Sequence, residues 1–205
     1  PIEIRDKLDE VWNKMGVFGR VYIADEGINA QVSIPQPNWE IFKKSVLSND
    51  LFRGIIIKKA IQEGSSFYKL KIKVRKELVA YDVPKESYDM RKVGKHLTAS
   101  DYNLAIESKD STVVDMRNYY ESEIGRFENA IIPDVETSKE LLPEVKKLLK
   151  GKENEKILLY CTGGIRCEKA SSYLIKNGFN DVNQLQGGII QYAHEIKSNN
   201  MESKF

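Results

Sequence analysis

Residues 2–15 place Ile4, Leu8, Val11 and Trp12 at helical spacing, and Gly16 and Gly19 end the helix that this predicts. Val17 to Ala24 reads as a strand, Asp25-Glu26-Gly27 as a turn, and Ile28 to Ile34 as the partner strand. Pro35 and Pro37 break that strand, and Trp39, Phe42, Val46 and Leu47 mark a second helix. Ile55-Ile56-Ile57 and the alternating stretch from Phe67 to Val74 predict two more strands. The order helix, strand, strand, helix, strand, strand is close to a ferredoxin-like α+β layout lacking its first strand, which a further N-terminal strand would complete.

After residue 81 the pattern changes. Residues 82–95 are polar with Pro and Gly and read as a linker between a first domain, 1–81, and a second, 96–205. Thr98-Ala99-Ser100-Asp101 resembles a capping box that opens a helix through Leu104 and Ile106. Thr112-Val113-Val114 predicts a short buried strand ending at Asp115, and Pro143 the first position of a helix carrying Val145, Leu148 and Leu149. Ile157 to Tyr160 is a continuous apolar run of the kind covered on both faces in parallel sheets. A helix with Ala170, Tyr173 and Leu174 closed by Gly178, a strand from Val182 to Leu185, and a helix from Ile189 to Ile196 follow. Strands alternating with helices predict an α/β domain with a mostly parallel sheet.

Composition narrows the classes. At 205 residues with 41% hydrophobic and 30% charged positions, the chain has material for two cores. No run approaches the ~18 apolar residues of a membrane span, so no membrane partner is expected. The amphipathic start after Pro1 is no signal peptide, which predicts a cytoplasmic setting and free thiols. Two cysteines and two histidines predict no disulfide framework and no metal. The near-neutral total divides unevenly: residues 1–92 hold 17 basic and 13 acidic side chains, and residues 93–205 hold 15 and 17. In the first domain Lys69, Lys71, Lys73 and Arg75 alternate with Leu70, Ile72 and Val74, which puts four cations on one strand face. Such a face suits sugar-phosphate contact, or is a solvated outer face.

The candidate chemistry lies in Tyr160-Cys161-Thr162-Gly163-Gly164-Ile165-Arg166-Cys167-Glu168, between the buried strand and a helix expected to begin near Cys167. Open α/β sheets place ligands at that carboxyl edge. Gly163 and Gly164 let amide N–H groups turn inward as an anion nest, while the helix N-terminus and Arg166 add positive potential. A thiol at Cys161 in that field favours its thiolate, as a nucleophile or persulfide carrier requires. Four residues separate Cys161 from Arg166, one fewer than in cysteine phosphatases, a ring better sized for one sulfur than for a phosphate. Cys167 either resolves an oxidised or persulfidated Cys161 or packs as a small residue at the helix start. Asp115 reads as a brace for the loop, Arg117 as a brace or a pocket residue, and Arg166 as facing either the sulfur or a phosphate.

This loop, with Asp115-Met116-Arg117-Asn118, resembles the rhodanese family, and the string from Cys161 to Lys169 resembles the bacterial rhodanese-domain tRNA uridine hydroxylases. Further matches are Glu26-Gly27-Ile28-Asn29, Arg117-Asn118 with Glu121, Gly125 with Phe127 and Ala130, and Gly187-Gly188-Ile189. The resemblance implies a ferredoxin-like (acylphosphatase-like) domain ahead of a rhodanese domain, with Cys161 as the persulfide-type active-site cysteine. It implies O2-dependent hydroxylation of the wobble uridine to 5-hydroxyuridine, O2 as co-substrate, and the tRNA anticodon region as partner. Ala30 stands where the family pattern leads one to expect glycine, and the chain ends at Phe205, before the cysteine-containing basic extension that members usually carry. No flavin, nicotinamide or iron-binding fingerprint is visible, so no bound cofactor is expected, nor an obligate protein partner. The same loop also fits a thiosulfate-type sulfurtransferase.

Overall fold

The computed structural model describes residues 1–55, 57–59, 64, 66–108 and 110–205. The described chain divides into two compact units, Pro1–Leu78 and Val79–Phe205.

In the first unit, α1 (Ile2–Lys14) precedes the hairpin β1 (Phe18–Ala24) and β2 (Gly27–Ser33), followed by α2 (Trp39–Leu47) and β3 (Leu70–Val74). The sheet order is β2-β1-β3, antiparallel between β1 and β2 and parallel between β1 and β3. Period-two alternation sends Val21, Ile23, Leu70 and Ile72 to one face, where Leu8 and Trp12 of α1 and Phe42 and Val46 of α2 close the core. Of the strand expected at Ile55-Ile56-Ile57, Ile56 lies outside the described residues. Ile55 and Ile57 are neither helix nor strand, and both pack partly buried against this core.

The second unit is built on a four-stranded sheet, β4-β7-β6-β5, parallel throughout: β4 (Lys95–Leu97), β5 (Ser111–Asp115), β6 (Lys156–Tyr160) and β7 (Asp181–Leu185). Its helices are α3 (Ala99–Ile106), α4 (Tyr119–Ile124), α5 (Ser138–Leu148), α6 (Ile165–Lys176) and α7 (Gly188–Ser198). Alternate residues of β6 divide between two layers. Ile157 and Leu159 join Leu142, Val145, Ala170 and Leu174 of α5 and α6, while Leu158 and Tyr160 join Tyr102 and Tyr192 of α3 and α7. This double cover is what the unbroken apolar run of β6 calls for.

Several elements depart from expectation. α5 starts at Ser138 rather than at Pro143, because Thr137 and Glu140 form a capping box that outweighs the one ladder bond Pro143 cannot donate. α6 starts at Ile165, two residues before Cys167. β4 contains His96 and Leu97, too short a run to show a strand period. The stretch 82–95, expected as a linker, groups with the second unit. Asp89 exchanges hydrogen bonds with Ser172 Oγ (2.8 and 2.7 Å), and Gly94 N–H donates to Ser171 Oγ at 2.8 Å, so α6 holds the segment by its small polar side chains. Among the described residues no helix is long and apolar enough to cross a membrane.

Candidate active site

β6 delivers Cys161 to the carboxyl edge of the sheet, beside the end of β5 at Asp115, which pairs with Tyr160. The turn from strand to helix is made at Gly164, whose φ of +96° lies in the left-handed region. That conformation points the Gly164 N–H at Cys161 Sγ, 3.1 Å away. Gly163 needs no such conformation, and a Cβ there would meet nothing within 4 Å.

Cys161 and Cys167 are both fully buried free thiols. Hydrogen bonding from the Cys167 thiol, then from the backbone N–H groups of Cys167 and Gly164 and the charge of Arg166, outweighs burial and lowers the Cys161 pKa to about 6. Burial and the neighbouring Cys161 charge push Cys167 the other way, well above a normal thiol. The pair is therefore polarised: one sulfur is an anion near neutrality and the other is its proton donor.

Arg166 does not point freely toward the sulfur or a phosphate. Its Nη1 and Nη2 donate to Glu121 Oε2 and Oε1 at 2.7 and 2.9 Å, and Nη2 also donates to Thr162 Oγ1 at 2.9 Å. Thr162 O–H in turn donates to Glu121 Oε1 at 2.7 Å, so α4, the loop and α6 share one clamp. The hydrogen bonds from Arg166 hold Glu121 down to about pKa 2 against its partial burial. Burial disfavours the charge on Arg166, and the Glu121 and Cys161 charges more than compensate. Ile165, the first residue of α6, is only partly buried.

Asp115 and Arg117 form a second, deeper pair, with side chains 0% and 4% exposed. Asp115 accepts from Arg117 N–H at 3.0 Å and Nη2 at 2.6 Å, from Ser122 Oγ at 2.8 Å and from the Tyr160 hydroxyl at 2.7 Å. Arg117 also donates to Gly125 O at 2.6 Å and lies 5.3 Å from the ring centroids of Tyr160 and Phe205. Both residues are committed to the scaffold under the loop. In the first unit, Lys71 and Arg75 are exposed with Lys69, while Lys73 is half-buried.

Three contributors carry no assigned role in the sequence reading. Glu121 is signalled by its capping box with Asn118, whose N–H donates to it at 3.1 Å. Gly187-Gly188 is signalled by two glycines ahead of an apolar helix. α7 there turns its Ile189 and Ile190 N–H groups onto the carbonyls of Cys161 and Thr162, at 3.0 and 3.2 Å. A Cβ at Gly188 would sit 2.4 Å from Cys161 O, so only glycine lets the two backbones approach. Tyr81, fully buried and donating to Arg166 O at 3.2 Å, is a lone aromatic in a polar stretch and gives no pattern to read.

Residues 1–78 match the family described as UPF0176 acylphosphatase like domain, and residues 98–195 match the rhodanese-like domain family. Over 204 residues the chain is 53% identical to a tRNA uridine(34) hydroxylase of Leptospira interrogans, a match taking in 99% of this chain and 56% of that protein. It is 42% identical over 207 residues to a tRNA uridine(34) hydroxylase of Salmonella choleraesuis, covering 100% of this chain and 59% of the relative. The chain thus spans less than two thirds of the length of these curated relatives. Among solved structures, a rhodanese-related protein from Thermoplasma volcanium is 26% identical with a TM-score of 0.40, the match covering 49% of this chain and 92% of that one. A rhodanese-like domain protein from Staphylococcus aureus is 27% identical with a TM-score of 0.40, over 48% and 90% of the two chains.

Proposed function

Since the chain belongs to the rhodanese-domain family whose curated relatives carry the name tRNA uridine(34) hydroxylase, we propose that it modifies tRNA by hydroxylating the wobble uridine to 5-hydroxyuridine, with O2 as co-substrate. The observation that carries this reading at the site is the Cys161 sulfur, drawn toward thiolate by the Cys167 thiol and two backbone N–H groups. A thiolate adds readily to C6 of a uracil ring, which gives carbanion character to C5, the atom that takes one oxygen of O2. Loss of the C5 proton then breaks the S–C6 bond and frees the Cys161 thiolate, and the second oxygen leaves as water with two electrons and two protons from a thiol-class reductant. Cys167 then serves as proton partner to the reacting sulfur, Arg166 and Glu121 hold the loop closed, and Asp115 and Arg117 brace it from below. Lys69, Lys71, Lys73 and Arg75 would meet the tRNA backbone. An anticodon loop suits the task because its bases are already unstacked.

Nucleoside mass spectrometry tests the reading in cells lacking the native copy and supplied with this chain or its Cys161→Ala variant. 5-Hydroxyuridine in tRNA is expected with the first and not the second, and labelled oxygen from 18O2 is expected in the product. Undiminished product with Cys161→Ala would exclude the cysteine's role. Loop size favours a second reading: a ring aimed at a single sulfur serves a sulfurtransferase equally well. Rapid thiosulfate-to-cyanide turnover alongside unchanged tRNA nucleosides would select it.

A further inference from the structure

Among the described residues, none of the three strands of the first unit contains an aspartate or glutamate. Both helices pack against the face carrying Val21, Ile23, Leu70 and Ile72, which leaves the opposite face to the alternate positions. Strand pairing arranges these in rungs. Gln31, Arg20 and Lys71 lie side by side, and Asn29, Tyr22 and Lys73 form the next row. Phe18, 38% exposed, stands on the same face of the central strand, opposite Ser33. Arg75 continues the cationic edge and places its guanidinium 5.6 Å from the Tyr22 ring centroid.

A basic face that met only phosphates would have no use for rings along its middle. Here the central strand reads aromatic, cation, aromatic at Phe18, Arg20 and Tyr22, with amides on one flank and cations on the other. Four residues of strand separate the two rings by about 13 Å. Base stacking on aromatic side chains works only for bases that are not already stacked in a duplex. From this face we infer a platform for single-stranded RNA: Phe18 and Tyr22 stack unpaired bases, Asn29, Gln31 and Arg20 reach base edges and ribose, and Lys71, Lys73 and Arg75 hold the phosphates. The inference deepens the tRNA reading by naming a loop, and not a helical stem, as what the first unit grips.

Fluorescence anisotropy with the intact chain tests it, using a labelled anticodon stem-loop and a blunt duplex of equal length. Tyr22→Ala and Phe18→Ala are each expected to weaken stem-loop binding about tenfold and to leave duplex binding unchanged. Tyr22→Phe is expected to restore it, and thermal melts confirm that each variant is folded. Lys71→Ala and Lys73→Ala are expected to weaken both RNAs and to lower the salt slope by about one each. Wild-type affinity of Tyr22→Ala for the stem-loop overturns the platform, as does equal competition by polyglutamate, which would mark a general anion surface. If Tyr22→Ala still forms 5-hydroxyuridine at the wild-type rate and binds the loop normally, the platform falls and the proposed function stands. If the chain modifies no tRNA yet grips unpaired RNA through Tyr22, the proposed function falls and the platform stands.

Discussion

Cys161 owes its acidity chiefly to Cys167, six residues along the chain, then to the charge of Arg166 and the Gly164 N–H, which the left-handed conformation of Gly164 aims at the sulfur. Thiolate absorbance near 240 nm, taken as the wild type minus Cys161→Ser, is expected to titrate with a midpoint near pH 6. Cys167→Ala removes the largest favourable contribution and is expected to move that midpoint upward, toward an ordinary thiol; an unmoved midpoint would remove Cys167 from the account. The two loop glycines are separable by the same logic. Gly164→Ala forces a side chain into the left-handed region and should cost about 1–3 kcal/mol of stability, with a raised Cys161 midpoint. Gly163→Ala meets open space and should leave stability within about 1 kcal/mol and the midpoint unchanged. Gly188→Ala belongs with Gly164→Ala, since its Cβ would collide with the carbonyls of Cys161 and Thr162.

Between elements, the clamp of Glu121 on α4 with Thr162 and Arg166 is the contact that fixes the loop against its surroundings. Glu121 has a folded pKa near 2 against 4.5 for the free side chain, so its contribution to stability is full above about pH 4.5. That contribution is lost as pH falls toward 2. Glu121→Gln is expected to lower stability by on the order of 2 kcal/mol at pH 7, between the values for exposed and buried pairs. Denaturant melts of the two proteins should converge between pH 4.5 and 2; a constant gap across that range would show that the clamp is not ionic. The same elements show how much was legible in sequence. The hairpin, the β6 run and the strand-to-helix loop are strong periodic or glycine signals, and the reading located them. α4 is a six-residue helix with one buried side chain, Ser122, so no period announces it. Arg117 is ambiguous in sequence because a buried arginine needs its counter-ion from the fold, and the Asp115 carboxylate, which accepts from Arg117, is fully held only once the Tyr160 and Ser122 hydroxyls arrive to donate to it.

At the scale of the whole chain, charge and core divide at the same boundary. Counted to Leu78 the first unit holds 14 basic and 10 acidic side chains, and the second holds 18 and 20, so the cationic excess stays with the sheet that presents Lys69 to Arg75. The boundary is nevertheless not where composition places it. A polar stretch with Pro84 and Gly94 reads as a linker, yet Val79, Tyr81, Val83 and Tyr88 contribute to the core shared by Cys161, Cys167, Ala170 and Leu174. Lys169, 2% exposed, reaches Val79 O at 3.4 Å and lies 4.5 Å from the Tyr88 ring centroid, a use of the lysine stem as packing that its charge conceals. A fragment of residues 79–205 is therefore expected to fold with a single cooperative transition and to retain a Cys161 midpoint near pH 6. A fragment of residues 96–205 loses the Tyr81 ring, the Asp89 partner of Ser172 and the Gly94 N–H that Ser171 accepts. It should be less stable by about 4 kcal/mol or more, since removing a buried aromatic alone costs about 3–5. Equal stability of the two fragments, measured by urea denaturation, would return residues 79–95 to the status of a tether; unequal stability with a shifted midpoint in the shorter one would tie the segment to the reactive sulfur itself.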